Sequence, residues 1–374
     1  MLSINDRIVP RIPRRAFIKR HLEAFDDLNV VTRTTRSILS LIVIGGLLAP
    51  VAPPRAGKRE LPEWVKPAVR YLTNNGYLDR DVFRPNRPME RSAFTALMKK
   101  TFGGGFSRTR GYVTAAEVSA TLVRKVGRAP LADSLVTMSS PDGWSPEIGR
   151  FFGSEIVARE LGLRHDRPTT EEAFEASASD PMRQADVVYA VWQAKTSPDT
   201  WSADALRGFK LQNYSERRRQ VVQFALSLVG TPYVWGGEWP TVTPSGYPYG
   251  AQSAGGFDCS GFAWYVLRKK SSGWSPMNRP YAGWDFPERS SSQMAGATPR
   301  RQRLGYKELK PGDVVFFASG GRDAKPSAVY HAGIYISNGW MVHSSGSRAG
   351  ISLGSIGPGS WWHDQLTFGR RVIR

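Results

Sequence analysis

The chain has 374 residues, long enough for two or three domains, and 41% of them are apolar, enough for a sizeable core. Its 51 lysines and arginines against 32 acidic residues leave a net charge of +19, which favours polyanionic partners such as nucleic acid, anionic lipid or acidic polymer. A single cysteine excludes an intrachain disulfide framework and leaves the compartment open.

At the N-terminus, ILSLIVIGGLL (Ile38–Leu48) is an uninterrupted apolar run preceded by Arg33 and Arg36 and followed by APVAPPRAG. A helix from Ile38 to Ala52 would span roughly 20 Å, short of the roughly 30 Å of a hydrocarbon core. Basic flank, short apolar segment and small residues together read as a secretory signal. A short membrane anchor is the alternative, and it would be the only route to a membrane. A buried core helix is the remaining alternative, behind these two. Arg14 and Arg15 are separated from the run by the acidic stretch EAFDD, so their pairing reads as chance. Residues 1–58 are therefore expected to be a basic leader, residues 59–200 a helical domain and residues 201–374 a second domain.

Residues 59–200 carry a weak internal repeat. Pro88-Met89 and Pro181-Met182 each open an apolar helical pattern, and YVTAAEVSATLVRKVG reads as a middle unit in which Thr114 and Glu117 have capping-box spacing. Repeated units of this kind bury their faces against one another. The pattern, PMERSAF above all, resembles S-layer homology repeats. That resemblance implies an anionic cell-wall polymer as partner, with Arg91 and its neighbours touching it. A generic helical spacer is the other reading.

From Tyr214 the pattern sharpens. YSERRRQVVQFALSLVG predicts a helix with Ser215 at its N-cap and Gly230 just past its end. The basic run Arg217–Arg219 reads as a solvated helix face; no nucleic-acid motif accompanies it, and no nucleic-acid partner is expected. TPYVWGG and a long Gly/Pro/Ser/Tyr loop follow, and then GGFDCSGFAWYVL. Asp258 is a good N-cap, which places Cys259, the one cysteine, in the first turn of a helix. Free N–H groups and the helix dipole favour an anion there, so the thiol pKa is expected to be lowered. A small buried apolar side chain is the competing reading.

A thiol nucleophile needs a base. Of five histidines, His21 lies in the leader and His165 in the repeat region, leaving His331, His343 and His363. KPSAVYHAGIYISNGWMVHSS reads as two strands joined near Asn338-Gly339. A two-residue loop there would set His343 opposite Ile334, on the other face from His331. A three-residue loop with Gly339 in a left-handed bulge would set it opposite Gly333, on the same face. A Cys–His–His site requires the second case, so a bulged turn is predicted.

In order along the chain, YVWGG, FDCSG, PGDVVFF, HAGIYISNG and MVHSS resemble the NlpC family of bacterial cell-wall cysteine endopeptidases, over residues 214–374. The resemblance implies an α+β fold: a papain-like catalytic domain of helices on a small antiparallel sheet, here preceded by the mainly helical repeat-like domain. It implies Cys259 as nucleophile, His331 as general base and His343 as the group orienting the imidazole. Tyr233 would be an oxyanion donor or substrate contact. Asp258 and Ser260 would hold the stem peptide, Asp258 meeting its free amino end or serving as a helix cap. The substrate would be peptidoglycan stem peptides, cut between D-glutamate and a diamino acid, by a secreted or wall-associated protein.

The loop between Gly237 and Gly255 is longer than the family's usual link and bears on specificity. His363 falls outside the matched segments and reads as a surface or packing residue. No cofactor and no metal are expected: there is no HExxH and no cysteine pair. The competing functions are a thiol amidase or transpeptidase on another amide, and a non-catalytic wall-binding protein.

Overall fold

Residues 61–104, 110–196, 198, 200–243, 251–252, 254–267 and 288–373 are described by a computed structural model. The leader with its apolar run lies outside the described residues, as do Arg268, Lys269 and Lys270. Among the described residues, no helix is long and apolar enough to cross a membrane.

The N-terminal half is helical: α1 (Lys66–Asn74), α2 (Arg91–Phe102), α3 (Ala115–Lys125), α4 (Ala129–Val136), α5 (Phe152–Glu160), α6 (Gln184–Thr196) and α7 (Thr200–Ala205). Three short extended segments meet at its centre. Pro88 bridges Arg183, Glu90 bridges Tyr112, and Thr114 bridges Pro181. Their middle residues close a ring: Val113 N–H donates to Met89 O at 3.0 Å, Met182 N–H to Val113 O at 2.9 Å, and Met89 N–H to Met182 O at 2.9 Å. The ring satisfies backbone groups that burial would otherwise leave unpaired. A helix leaves each segment (α2, α3 and α6), and each presents apolar residues at helical spacing to a common core: Phe94, Leu97 and Met98; Val118 and Leu122; Val187, Val188 and Val191. Each such side chain contributes about 1.5–3 kcal/mol on burial. The Pro-Met segments thus have a middle counterpart at Tyr112-Val113. The capping box after it is present, with Glu117 N–H donating to Thr114 Oγ1 at 3.3 Å and Thr114 N–H to Glu117 Oε2 at 2.9 Å.

The C-terminal half sets helices on a sheet. The helices are α8 (Glu216–Ser227), α9 (Cys259–Leu267), α10 (Ser291–Gly296) and α11 (Trp361–Gln365). Ser215 sits at the N-cap of α8 with extended backbone, as the sequence predicts. A two-stranded ribbon, β1 (Glu238–Trp239) with β2 (Gly256–Phe257), closes the base of the long loop. Gln252 staples that base: its Oε1 accepts Glu238 N–H at 2.8 Å and its Nε2 donates to Trp239 O at 2.7 Å.

The main sheet is antiparallel throughout, with β3 (Arg303–Leu304), β4 (Val314–Phe317), β5 (His331–Ser337), β6 (Trp340–Ser345), β7 (Gly350–Ser355) and β8 (Leu366–Arg370) in the order β3-β8-β4-β5-β6-β7. Strand periodicity divides its two faces. Val314, Phe316, Ala332, Ile334 and Val342 join the core that also holds Phe262 and Trp264 of α9 and the helical half. Val315, Phe317, Tyr335 and Met341 pack on the other side with Leu309, Ile356 and Leu366. Residues Glu60–Arg374 form one compact unit. The buried Arg159 of α5 helps join the halves, donating to Gly230 O and Arg348 O, both at 3.0 Å, and to Ala349 O.

The turn at Asn338-Gly339 brings a partial correction. Both residues have positive φ (31° and 83°), and Ser337 pairs with Trp340, so the loop itself has two residues. The extra residue lies one step inward, at Ile336, where the register shifts so that Tyr335 pairs with Met341 and Ile334 with Val342. The predicted register, with His343 level with Gly333, therefore holds, but a bulge in β5 sets it rather than a longer loop.

Candidate active site

Helix α9 is apolar on every side, and Ser260 to Leu267 are all buried. Such a helix is fixed by its surroundings on all faces, which holds its first residue, Cys259, in place. Asp258 caps it: Gly261 N–H donates to Asp258 Oδ1 at 2.6 Å. The first turn runs against β5. Cys259 Sγ lies 3.8 Å from Tyr330 O, and the thiol also meets the backbone N–H of Ala332. These backbone groups flank His331.

His331 and His343 share the sheet face of Tyr335 and Met341. His331 Nε2 lies 2.8 Å from His343 Nδ1, with the rings perpendicular (87°) and 5.0 Å apart. Both imidazoles are buried, at 7% and 1% exposure, so solvent offers His343 no competing partner. Two glycines clear room for the His343 ring. A Cβ on Gly333 of β5 would lie 3.2 Å from His343 Cβ, and one on Gly354 of β7 would lie 2.9 Å from His343 Nε2. Trp362 of α11 closes the face, stacked on His331 at 4.5 Å (27°) and edge-on to His343 at 5.2 Å.

The electrostatics correct the expectation for the thiol. Cys259 keeps partial exposure, but its dense surroundings and the neighbouring Asp258 push the thiol up to about 12; the Ala332 and Ser260 N–H groups and Arg289 only partly oppose this. Position at a helix N-terminus is outweighed by desolvation. The resting sulfur is therefore a thiol that needs a base to accept its proton. Burial first, then His331 and Arg348, hold His343 well below the usual histidine range. His343 is thus neutral and can accept a hydrogen bond from His331 when that ring is charged.

Tyr233, in the loop before β1, bridges Phe257 in parallel. Burial, with Cys259 and Asp258 nearby, pushes its phenol up, so it stays protonated and able to donate. Asp258 and Ser260 turn toward Arg289 instead of toward the thiol. Arg289 contacts Asp258 Oδ1 and Oδ2, both at 3.1 Å, and donates to Ser260 Oγ at 3.0 Å. His363 packs as the sequence suggests, edge-on to Tyr306 with Nδ1 3.0 Å from Ile356 O.

The structure thus brings Cys259, His331, His343 and Tyr233 together, and it adds residues the sequence did not single out: Trp362, Tyr330, Arg289 and the two strand glycines. A glycine inside a strand does signal close approach of another group, and Gly333 and Gly354 carried that signal. The helical half borders this region. Glu172 accepts Trp235 N–H at 2.8 Å, and Asp166 Oδ2 lies 2.6 Å from where a Cβ on Gly346 would stand. Burial and the nearby Glu175 and Glu172 push the Asp166 carboxyl up to about 8.

Relatives match part of the chain. A probable endopeptidase of Mycobacterium tuberculosis is 38% identical over 128 residues, 34% of this chain and 23% of the relative. Probable endopeptidase p60 of Listeria monocytogenes is 31% identical over 150 residues, 40% of this chain and 23% of the relative. The bifunctional muramidase/DL-endopeptidase CwlT of Bacillus subtilis is 33% identical over 150 residues, 40% of this chain and 35% of the relative. The chain thus spans about a quarter to a third of the length of these relatives. Among solved structures, the NlpC/p60 domain of the peptidoglycan hydrolase SagA aligns with 23% identity and a TM-score of 0.28, covering 41% of this chain and 97% of that one. The model of the NlpC/P60 family matches residues 230–371.

Proposed function

We propose that the protein is a peptidoglycan endopeptidase that cleaves stem-peptide amides with Cys259 as nucleophile. The observation that carries this reading is the hydrogen-bonded His331–His343 pair on β5 and β6, with the thiol against the β5 backbone beside His331. His331 Nε2 meets His343, and His331 Nδ1 takes the thiol proton in this reading. The thiolate then attacks the amide carbon, and the new oxyanion is met by Cys259 N–H and the Tyr233 hydroxyl. The imidazolium gives its proton to the leaving amine. Water, activated by the same ring, hydrolyses the thioester and frees the carboxylate. Neutral His343 steadies the imidazolium in both halves of the cycle.

The bond is proposed to be that between D-glutamate and a diamino acid, following the family resemblance. Export by the N-terminal segment follows from the substrate's location. A thiol amidase would use the same residues and differ only in the amide accepted. We further infer that the helical half holds an anionic wall polymer. A groove of about 450 Å³ beside its threefold centre, lined by Arg84, Arg87, Lys100 and Tyr112 as well as by Asp79 and Glu90, is the surface this reading uses. Arg91 is a weaker contact than the sequence suggests, since it pairs with Glu117 at 2.7 Å.

Digestion of purified muropeptides followed by mass spectrometry tests the reading. The expected products carry a new diamino-acid amino end and a free D-glutamate γ-carboxyl. Release of intact stem peptide from the sugar would instead make the protein an amidase.

A further inference from the structure

Arg289 follows α9 in sequence by more than one full helix length, yet it sits beneath the first turn of α9. Each of its nitrogens is engaged. Nε donates to Glu238 Oε2 at 2.5 Å; Nη1 donates to Asp258 Oδ1 at 3.1 Å and Ser260 Oγ at 3.0 Å; Nη2 meets Asp258 Oδ2 at 3.1 Å, Gly236 O at 2.8 Å and Gly237 O at 3.0 Å. The fork onto Asp258 is bidentate, the geometry that lysine cannot reproduce. The backbone makes room for it: a Cβ on Gly261 would lie 2.8 Å from Arg289 Nη2 and 2.0 Å from Gly237 O. The glycine of the CSG segment is thus required by the guanidinium and the loop carbonyl.

This arrangement answers a difficulty in the site. Asp258 caps α9 with its carboxylate one residue from the sulfur. A bare carboxylate there would oppose formation of a thiolate. We propose that Arg289 is a positioning residue for the nucleophile: it locks and neutralises Asp258, so the carboxylate caps the helix without setting its full negative charge against Cys259. The proposal rests on Cys259 being the nucleophile. Asp258 and Arg289 act on the thiol in opposite senses, Asp258 raising its pKa and Arg289 lowering it. The other titratable groups near the sulfur are the protonated hydroxyls of Tyr233 and Tyr330, and His331, backed by His343, whose flanking backbone groups the sulfur meets; Glu238 pairs with Arg289. It follows that Asp258 is already paired before any substrate arrives, and a peptide amine would have to displace a guanidinium to reach it.

Because the chain has one cysteine, its alkylation reports this thiol alone and needs no peptide substrate. A protein that cleaved no stem peptide would still give the titration, so failure here and failure of the proposed function are separable. The rate of iodoacetamide labelling is followed against pH for wild type, Arg289→Gln, Arg289→Lys, Asp258→Asn and the double variant, with near-UV circular dichroism as the check on folding. Arg289→Gln is expected to move the half-point up by about one pH unit, slowing labelling near neutrality about tenfold. Arg289→Lys keeps the charge but not the bidentate fork, and its half-point is expected between those of wild type and Arg289→Gln. Asp258→Asn, which retains a capping side chain, moves the half-point down. Adding Asp258→Asn to Arg289→Gln brings the half-point back to wild type or below. A folded Arg289→Gln with an unchanged half-point overturns the proposal, as does a double variant that stays at the Arg289→Gln value. Should Arg289→Gln fail to fold, Asp258→Asn decides alone: an unchanged half-point in the folded single variant overturns it.

Discussion

Two buried polar clusters of the molecule are built in opposite ways. Around Arg167 in the helical half the groups are charged and paired: its fully buried guanidinium meets Asp186 Oδ2 and Glu171 Oε2, both at 2.9 Å. At the thiol in the sheet half, Cys259 and His343 are uncharged at rest. Cys259 keeps its proton because of burial, and His343 stays neutral for the same reason. A buried ion pair fixes a structure, since separating its charges costs several kcal/mol. A buried row of neutral donors and acceptors can pass a proton along at far lower cost. The difference teaches that the Arg167 cluster is built to hold structure, whereas the cluster at the thiol is built so that a proton can move.

Four substitutions break or sharpen that contrast. Cys259→Ala is expected to lower muropeptide cleavage at least about 10³-fold while leaving thermal stability within a few degrees. His343→Ala removes the acceptor for charged His331 and should lower kcat about 10²-fold with KM little changed, as stopped assays over a substrate series would show. Arg167→Ala acts on the helical half. It leaves Asp186 buried without its partner and should cost about 3–5 kcal/mol in urea unfolding, with the pH profile of Cys259 alkylation unmoved. Gly354→Ala pushes a methyl group toward His343 Nε2 and should lower kcat about tenfold by displacing the ring, with a smaller loss of stability.

The border between the halves gives a pH-dependent effect, and its sign follows from Asp166. Its folded carboxyl is raised from 3.8 to about 8, so between these values the folded state holds the proton more tightly than the unfolded state. Stability is therefore fully present below about pH 4 and is lost as pH rises toward 8. Asp166→Asn should flatten that decline in a series of melting temperatures across the range. A decline of undiminished slope would place the titrating group elsewhere, with Glu175, raised to about 7, next in line.

Much of this was legible in the sequence wherever a signal was local. The Thr114–Glu117 capping box, the cap at Asp258 and the two strands that carry His331 and His343 each rest on a few neighbouring residues, and all three are present. The need for His331 and His343 to share a face correctly forced a bulge, but its place at Ile336 depends on how β5 packs, which no hairpin rule supplies. The thiol shows the same limit more sharply. The helix terminus is visible in the sequence and predicts a lowered pKa; the burial that outweighs it is a sum over distant elements. Trp362 and Arg289 were missed for the same reason, each reaching the site across long stretches of chain.

The most direct test of the account is the rate of muropeptide cleavage by wild type and by Cys259→Ala, with both proteins shown to be folded and the wild-type thiol shown to be reduced. The account predicts cleavage by wild type and its loss in the variant. Cleavage by Cys259→Ala at the wild-type rate would contradict it.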